Sequence, residues 1–192
     1  ESESRGLGDV YKRQVSNTSG VDNIAIGSSS LRANTSGIDN TAVGVNALYN
    51  NINGKCNVAI GKNALHQNTT GVDNVAIGRS AMYNNVSGIG NVAIGKFAAT
   101  QNKGNHNTAV GFIALACNTT GNCNTAIGTC ALIANTTGHS NTAVGFKALE
   151  DNTVGQSNTA IGFCAMCNNT TGISNTAVGV RASMLNYYAV KN

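Results

Sequence analysis

Six cysteines are the most reactive side chains of this chain, since thiolates can act as nucleophiles, redox groups or metal ligands. Cys164 and Cys167 have the spacing of a Cys-X-X-Cys redox or metal motif. No two of the six occupy the same place in adjacent copies of the repeat described below: Cys56, Cys117, Cys123, Cys130, Cys164 and Cys167. We interpret them as incidental thiols in turns or at the surface. A disulfide, and metal or redox chemistry, are the alternatives.

The histidines and aspartates offer little further chemistry. The histidines have no carboxylate partner in the pattern, so we predict neither a general base nor a metal ligand among them: His66, His106 and His139. Three aspartates follow Val or Ile just before a repeated segment: Asp22, Asp39 and Asp73. We interpret these aspartates as turn caps, with calcium binding as the alternative. The sequence thus predicts no catalytic residue, no metal site and no cofactor.

Most of the chain repeats one short segment, Asn-(Thr/Val/Ile)-Ala-(Val/Ile)-Gly. The copies begin at ten asparagines: Asn23, Asn40, Asn57, Asn74, Asn91, Asn107, Asn124, Asn141, Asn158 and Asn175. Consecutive starts are 17 residues apart, except that Asn91 and Asn107 are 16 apart. Such a fixed period is the signature of a solenoid. The fold predicted is an all-β parallel β-solenoid, or β-roll, of about ten coils.

Each copy, numbered from its first Asn, has the composition of a short strand that ends at a Gly turn. Positions two and four are β-branched and share one face of an extended segment, while Ala at position three lies on the other. For residues 40–44 this predicts Val43 pointing inward, Thr41 half-buried, Gly44 turning the chain, and Ala42 held against a close neighbour.

A second apolar pair at positions eight and nine, such as Ala47-Leu48, predicts a second short strand in each coil. An Asn-rich turn such as Asn68-Thr69-Thr70-Gly71 follows it. The 16-residue copy loses its residue in this turn, at Gln101-Asn102-Lys103-Gly104, where a deletion does not flip strand faces.

Stacking coils at a strand spacing of ~4.8 Å would align equivalent side chains along the rod. The first Asn of each coil is then predicted to form an amide ladder: Asn40, Asn57, Asn74, Asn91, Asn107, Asn124, Asn141 and Asn158. Position six would form a candidate contact stripe between chains or with a receptor, the alternative being a solvated edge. Its charged and aromatic members are Lys62, Arg79, Lys96, Phe112, Phe146 and Phe163.

Composition limits the partners of such a rod. The net charge of +4 comes from scattered residues, which argues against a nucleic-acid partner. Each coil has about three sizeable apolar side chains, few for the entropy lost in ordering its residues. We therefore expect a face of the coil to pack against another chain, with the Ala column as the candidate contact. No run is long enough for a transmembrane helix, so a membrane anchor would lie outside this fragment.

The chain divides into three parts. Residues 1–14 lack the repeat, and residues 4–14 resemble an in-frame translation of a sequencing adapter, so we expect a disordered, non-native leader. Residues 15–185 form the repeat domain. Residues 186–192 are a C-terminal cap or a truncated continuation.

The segment Asn141-Thr142-Ala143-Val144-Gly145, followed by Ala148-Leu149, resembles the head repeats of trimeric autotransporter adhesins. The copy from Asn124 to Gly138 is similar to 17-residue repeats of phage and bacterial tail-fibre-like proteins that precede an intramolecular chaperone domain. The resemblance covers residues 15–185, although the second turn is longer than in adhesin heads and no stalk, anchor or chaperone domain is present.

This resemblance implies a left-handed, homotrimeric β-roll that is a structural and adhesive fibre segment and not an enzyme. It implies an extracellular location, on the bacterial cell surface or outer membrane or on a phage virion. The expected partners are further copies of the chain, and a host-cell receptor, a matrix receptor or a surface glycan.

Two other functions are alternatives to a fibre segment. Ice-binding solenoids present Thr ladders on a flat face, but position two here alternates Thr with Val and Ile in the first five coils. A hexapeptide-repeat acyltransferase-like left-handed β-helix is the second. Residues 43–48 fit one such hexapeptide, whereas the rest of the coil does not.

Overall fold

A computed structural model describes residues 16–183 as a stack of short parallel strands, with no helix in that range. The leader at residues 1–14 and the C-terminal segment at 186–192 lie outside the described residues. The strands are β1 (Ile24–Ile26), β2 (Thr41–Val43), β3 (Val58–Ile60), β4 (Val75–Ile77), β5 (Val92–Ile94), β6 (Thr108–Val110), β7 (Thr125–Ile127), β8 (Thr142–Val144), β9 (Thr159–Ile161) and β10 (Thr176–Val178). Within residues 16–183, no helix is long and apolar enough to cross a membrane.

The ten strands form one parallel sheet in which each strand pairs with the next along the chain. Equivalent positions pair, for example Ala42 with Ala59, so the sheet has no register shift between these coils. The 16-residue coil keeps this register too, with Val92 paired to Thr108, because its missing residue lies outside the strand. The predicted parallel β-solenoid of 17-residue coils is therefore confirmed.

The interior of the coil is lined by alanine on the strand side, which reverses the predicted faces. Ala42 is fully buried, whereas Ile60 at position four is 38% exposed. The prediction that Val43 points inward was wrong, because Val43 is only partly buried, as is Thr41. The Ala column is likewise not a surface that another chain could approach. Position nine supplies the large buried side chains opposite: Leu31, Leu48, Leu65, Met82, Leu115, Leu132, Leu149 and Met166.

This inversion follows from the small cross-section of the coil. The alanines of positions three and eight and the Leu or Met of position nine belong to one core cluster. A Leu side chain reaching across so narrow an interior leaves room for only a methyl group on the strand side. The larger β-branched residues of the strand must then point outward.

The second predicted strand does not form, because the segment at positions six to nine is a series of turns. Asn46 and Leu48 have positive φ angles of 57° and 50°, a left-handed conformation that is uncommon for Leu. Their N–H groups donate in opposite directions along the stack, from Asn46 to the Ser28 carbonyl at 2.9 Å and from Leu48 to the Ala64 carbonyl at 3.0 Å. The turn therefore hydrogen-bonds both neighbouring coils while burying Leu48 completely.

Glycine ends every strand because both backbone angle and space require it. Gly61 has a φ of 129°, and a Cβ there would lie 2.8 Å from the backbone carbon of Gly78 in the next coil. A side chain at this position would thus force neighbouring coils apart.

Candidate functional site

The outward surface of the sheet consists of two parallel columns of uncharged side chains, positions two and four of β1–β10, here called the strand face. Every residue in these columns is Val, Ile or Thr. The isoleucines at position four include several that are 38–40% exposed: Ile60, Ile94, Ile127 and Ile161. Ten strands spaced by ~4.8 Å make this strip roughly 45 Å long. Exposed strips rich in Val and Ile are candidate interaction surfaces, so the strand face is a candidate contact site.

The first Asn of each coil lies inside the stack and links it in two directions. The Asn40 Oδ1 atom accepts from the Asn57 backbone N–H at 3.1 Å and from its Nδ2 at 3.0 Å. The same Nδ2 group donates to the Gly71 carbonyl at 2.7 Å, which closes the coil to which Asn57 belongs. All eight predicted ladder asparagines are buried. The structure thus brings them into one column of amides along the rod.

The ladder changes its partners at the 16-residue coil. The Asn107 backbone N–H still donates to Asn91 Oδ1 at 2.9 Å, but its Nδ2 donates to Asn102 Oδ1 at 3.0 Å. Asn102 belongs to a second buried column, at position twelve, in which Asn68 Nδ2 donates to Asn51 Oδ1 at 2.8 Å. At the shortened turn, a hydrogen bond therefore connects the first Asn column to the second.

The same deletion leaves an acceptor unused in the second column. Asn102 Nδ2 donates to the Gly104 carbonyl at 3.1 Å, and the buried Asn85 Oδ1 atom of the preceding coil has no hydrogen-bond partner. An unpaired buried carbonyl of this kind destabilises the fold. The 16-residue coil is therefore a weak point of the described stack.

The candidate contact stripe at position six is exposed and divides into two parts. Lys62, Arg79 and Lys96 form its basic part in three consecutive coils. Phe146 and Phe163 stack at 5.3 Å between ring centroids in the apolar part. Phe112 joins the basic part, since Lys96 Nζ lies 5.7 Å from its ring centroid.

The sequence interpretation did not predict the stacked aromatic column at position ten. The His66 ring lies between those of Tyr49 and Tyr83, at centroid distances of 5.0 and 4.8 Å. Burial lowers the pKa of His66, and its Nδ1 atom is buried without a hydrogen-bond partner. The signal was present in the sequence, because these three residues occupy the same position in three consecutive repeats.

The cysteines and aspartates lie in turns. All six thiols are free. Burial raises the pKa of Cys167, and the neighbouring Cys164 raises it further. Within residues 16–183, no group of three or more His, Cys, Asp or Glu side chains is placed to hold a metal ion. The three aspartates at position seventeen have φ angles of 56–58°, which Asp tolerates better than most residues: Asp22, Asp39 and Asp73.

Comparisons with models of protein families, with curated proteins and with solved structures found no match to this chain.

Proposed function

We propose that this chain is a structural and adhesive fibre segment without catalysis, which assembles as a homotrimer through the strand face. The observation that carries the proposal is the half-exposed strip of Val, Ile and Thr along ten in-register strands. The left-handed sense of the coil and the trimeric state are implied by the resemblance to adhesin heads and tail fibres. So is display on a bacterial surface or outer membrane, or on a phage virion.

The balance between core and surface supports an assembled state. The coil interior on the strand side holds only alanine methyl groups, while the larger strand side chains remain partly in water. Covering those side chains with other copies would add the apolar burial that a single coil lacks. Because the Ala column is buried and positions two and four are partly exposed, the proposed contact between chains lies at positions two and four.

A pair of substitutions on the strand face tests this assembly. Ile94→Asp together with Ile127→Asp would place two charges in the interface, so we expect dissociation to monomers in sedimentation velocity. The matched control is Ile52→Asp together with Val154→Asp, two turn residues that are 41% and 43% exposed. We expect the control to remain assembled. Assembly through the strand face would be refuted if both pairs of substitutions changed the sedimentation equally. It would also be refuted if the unsubstituted chain were a monomer.

Ice binding is a second candidate, because the structure turns the Thr column outward, where its side chains are partly exposed. Five consecutive coils carry Thr at position two: Thr108, Thr125, Thr142, Thr159 and Thr176. The neighbouring column holds Val and Ile, so each strand offers a single hydroxyl to water. Thermal hysteresis that disappears in a Thr125→Lys and Thr142→Lys variant would favour ice binding over fibre assembly.

A further inference from the structure

Three cations lie one above another beside the strand face. Lys62, Arg79 and Lys96 follow the Gly that ends β3, β4 and β5. Their backbones are joined coil to coil, since the Lys62 carbonyl accepts from Ser80 at 2.9 Å and the Arg79 carbonyl accepts from Phe97 at 3.0 Å. The three side chains therefore leave the rod one strand spacing apart, at ~4.8 Å.

No carboxylate of the described chain neutralises this column. The one ion pair among residues 16–183 joins Lys147 to Glu150, at 3.0 Å. No Asp or Glu occurs between Asp73 and Glu150, so the coils that contain Arg79 and Lys96 carry no acid. Stacked like charges repel one another, and an anion placed along the column would relieve that repulsion.

Aromatic rings accompany the cations. The Arg79 and Lys96 head groups lie 5.9 and 5.2 Å from the centroid of Phe97. Lys96 also lies over the ring of Phe112, which is 45% exposed. The column thus combines evenly spaced positive charges with an accessible apolar ring, whose face can stack on the C–H face of a sugar.

We propose that the column Lys62–Arg79–Lys96, with Phe97 and Phe112 beside it, binds an acidic polysaccharide lying along the rod. Regular spacing in one line fits an extended polymer whose carboxylate or sulfate groups recur along its length. The rings give the sugar units an apolar contact beside the charges. This inference rests on the proposed adhesive function and names the chemical class of its ligand.

The test measures binding of heparin, a sulfated polysaccharide, by the full chain in its native assembly state. Neutral dextran serves as the uncharged probe and single-stranded oligonucleotide as the other polyanion. The column variant is Lys62→Thr, Arg79→Thr and Lys96→Thr, because Thr129 already occupies position six in this chain. The charge-matched control is Arg32→Thr, Lys55→Thr and Lys103→Thr, which removes three cations from other positions.

We expect heparin to bind, dextran not to bind, and added salt to weaken heparin binding. The column variant should bind heparin about tenfold more weakly, while the control variant stays near the unsubstituted affinity. Equal losses in the two variants, no heparin binding, or tighter binding of the oligonucleotide would overturn the proposal. A column variant with an altered sedimentation coefficient would also overturn it, by placing these residues in the interface. Heparin binding by a monomeric chain would instead refute the proposed assembly alone.

Discussion

At the scale of single residues, buried asparagines join successive coils by hydrogen bonds, in addition to the packing of the narrow hydrophobic core. Asn124 accepts from the Asn141 N–H and Nδ2 groups at 3.0 and 3.2 Å, and donates to the Gly138 carbonyl at 2.8 Å. Because this side chain bonds three groups in two coils, few other side chains can replace it, whereas a solvated turn residue accepts many. The Asn column was foreseeable from the sequence, because a fixed 17-residue period aligns equivalent side chains. Its partner carbonyls were not, since they depend on how the coil closes.

Replacing one ladder amide should cost stability. Asn124→Ala leaves both donors of Asn141 without that acceptor, so we expect a loss of about 1–3 kcal/mol in the free energy of unfolding. Urea denaturation followed by circular dichroism measures this loss. Thr120→Ala, in the exposed turn of the preceding coil, is the control and should change stability by less than about 0.5 kcal/mol. Equal effects of the two substitutions would remove the energetic role assigned to the ladder.

The partly buried His66 ring predicts a stability that depends on pH. Burial lowers its pKa below the ordinary 6.5, so the unfolded chain takes up a proton at higher pH than the folded chain does. Its contribution is full above about pH 6.5 and is lost as pH falls toward the lower pKa of the folded state.

The His66→Tyr variant checks this pH dependence, because Tyr49 and Tyr83 already show that position ten accepts Tyr. We expect its urea midpoint to fall less than that of the unsubstituted chain between about pH 8 and pH 5. The matched control is His139→Tyr, which makes the same exchange at an exposed turn position. If the urea midpoint changed with pH in the same way with and without His66, then His66 would not be the source of the pH dependence.

At the scale of elements, the sequence located the strands but not their inner face. Alternation shows that positions two and four share a side of the strand, and hydrophobicity favoured placing that side inward. Leu48 and its equivalents fill the interior of the coil from the side opposite the strand, so that only alanine fits on the inner face of the strand. Alternation within the strand sequence does not show this. The missing second strand has a similar origin. Its Ala-Leu pattern suits an extended segment, whereas the structure gives Leu48 a positive φ.

The 16-residue coil offers a stabilising change. Inserting Thr between Lys103 and Gly104 would restore the full-length turn and let the Asn102 amide reach the unpaired Asn85 Oδ1 atom. We expect a gain of about 1 kcal/mol in the free energy of unfolding. As a control, inserting Thr between Thr119 and Thr120 lengthens a coil that already has 17 residues, and should not stabilise the chain. A destabilised Lys103–Gly104 insertion would show that the short turn is already the better packed.

At the scale of the whole molecule, the residues that hold the coils together differ from those that form the exposed strand face. Asn columns and small alanines hold successive coils in register, while the Val, Ile and Thr side chains of the strand face remain partly exposed. The basic column lies at the border of that face, where a polymer could follow the rod. Fold class and period could be predicted from the repeat alone. The proposed contact surface could not, because it depends on which strand face the narrow core excludes.

The most direct measurement of this account is the mass of the chain by sedimentation equilibrium. Assembly as a homotrimer predicts a mass three times the 19.5 kDa of one chain, unchanged over dilution. A folded species that sediments at 19.5 kDa, with strand circular dichroism retained, would contradict the central claim that the strand face is covered by other copies.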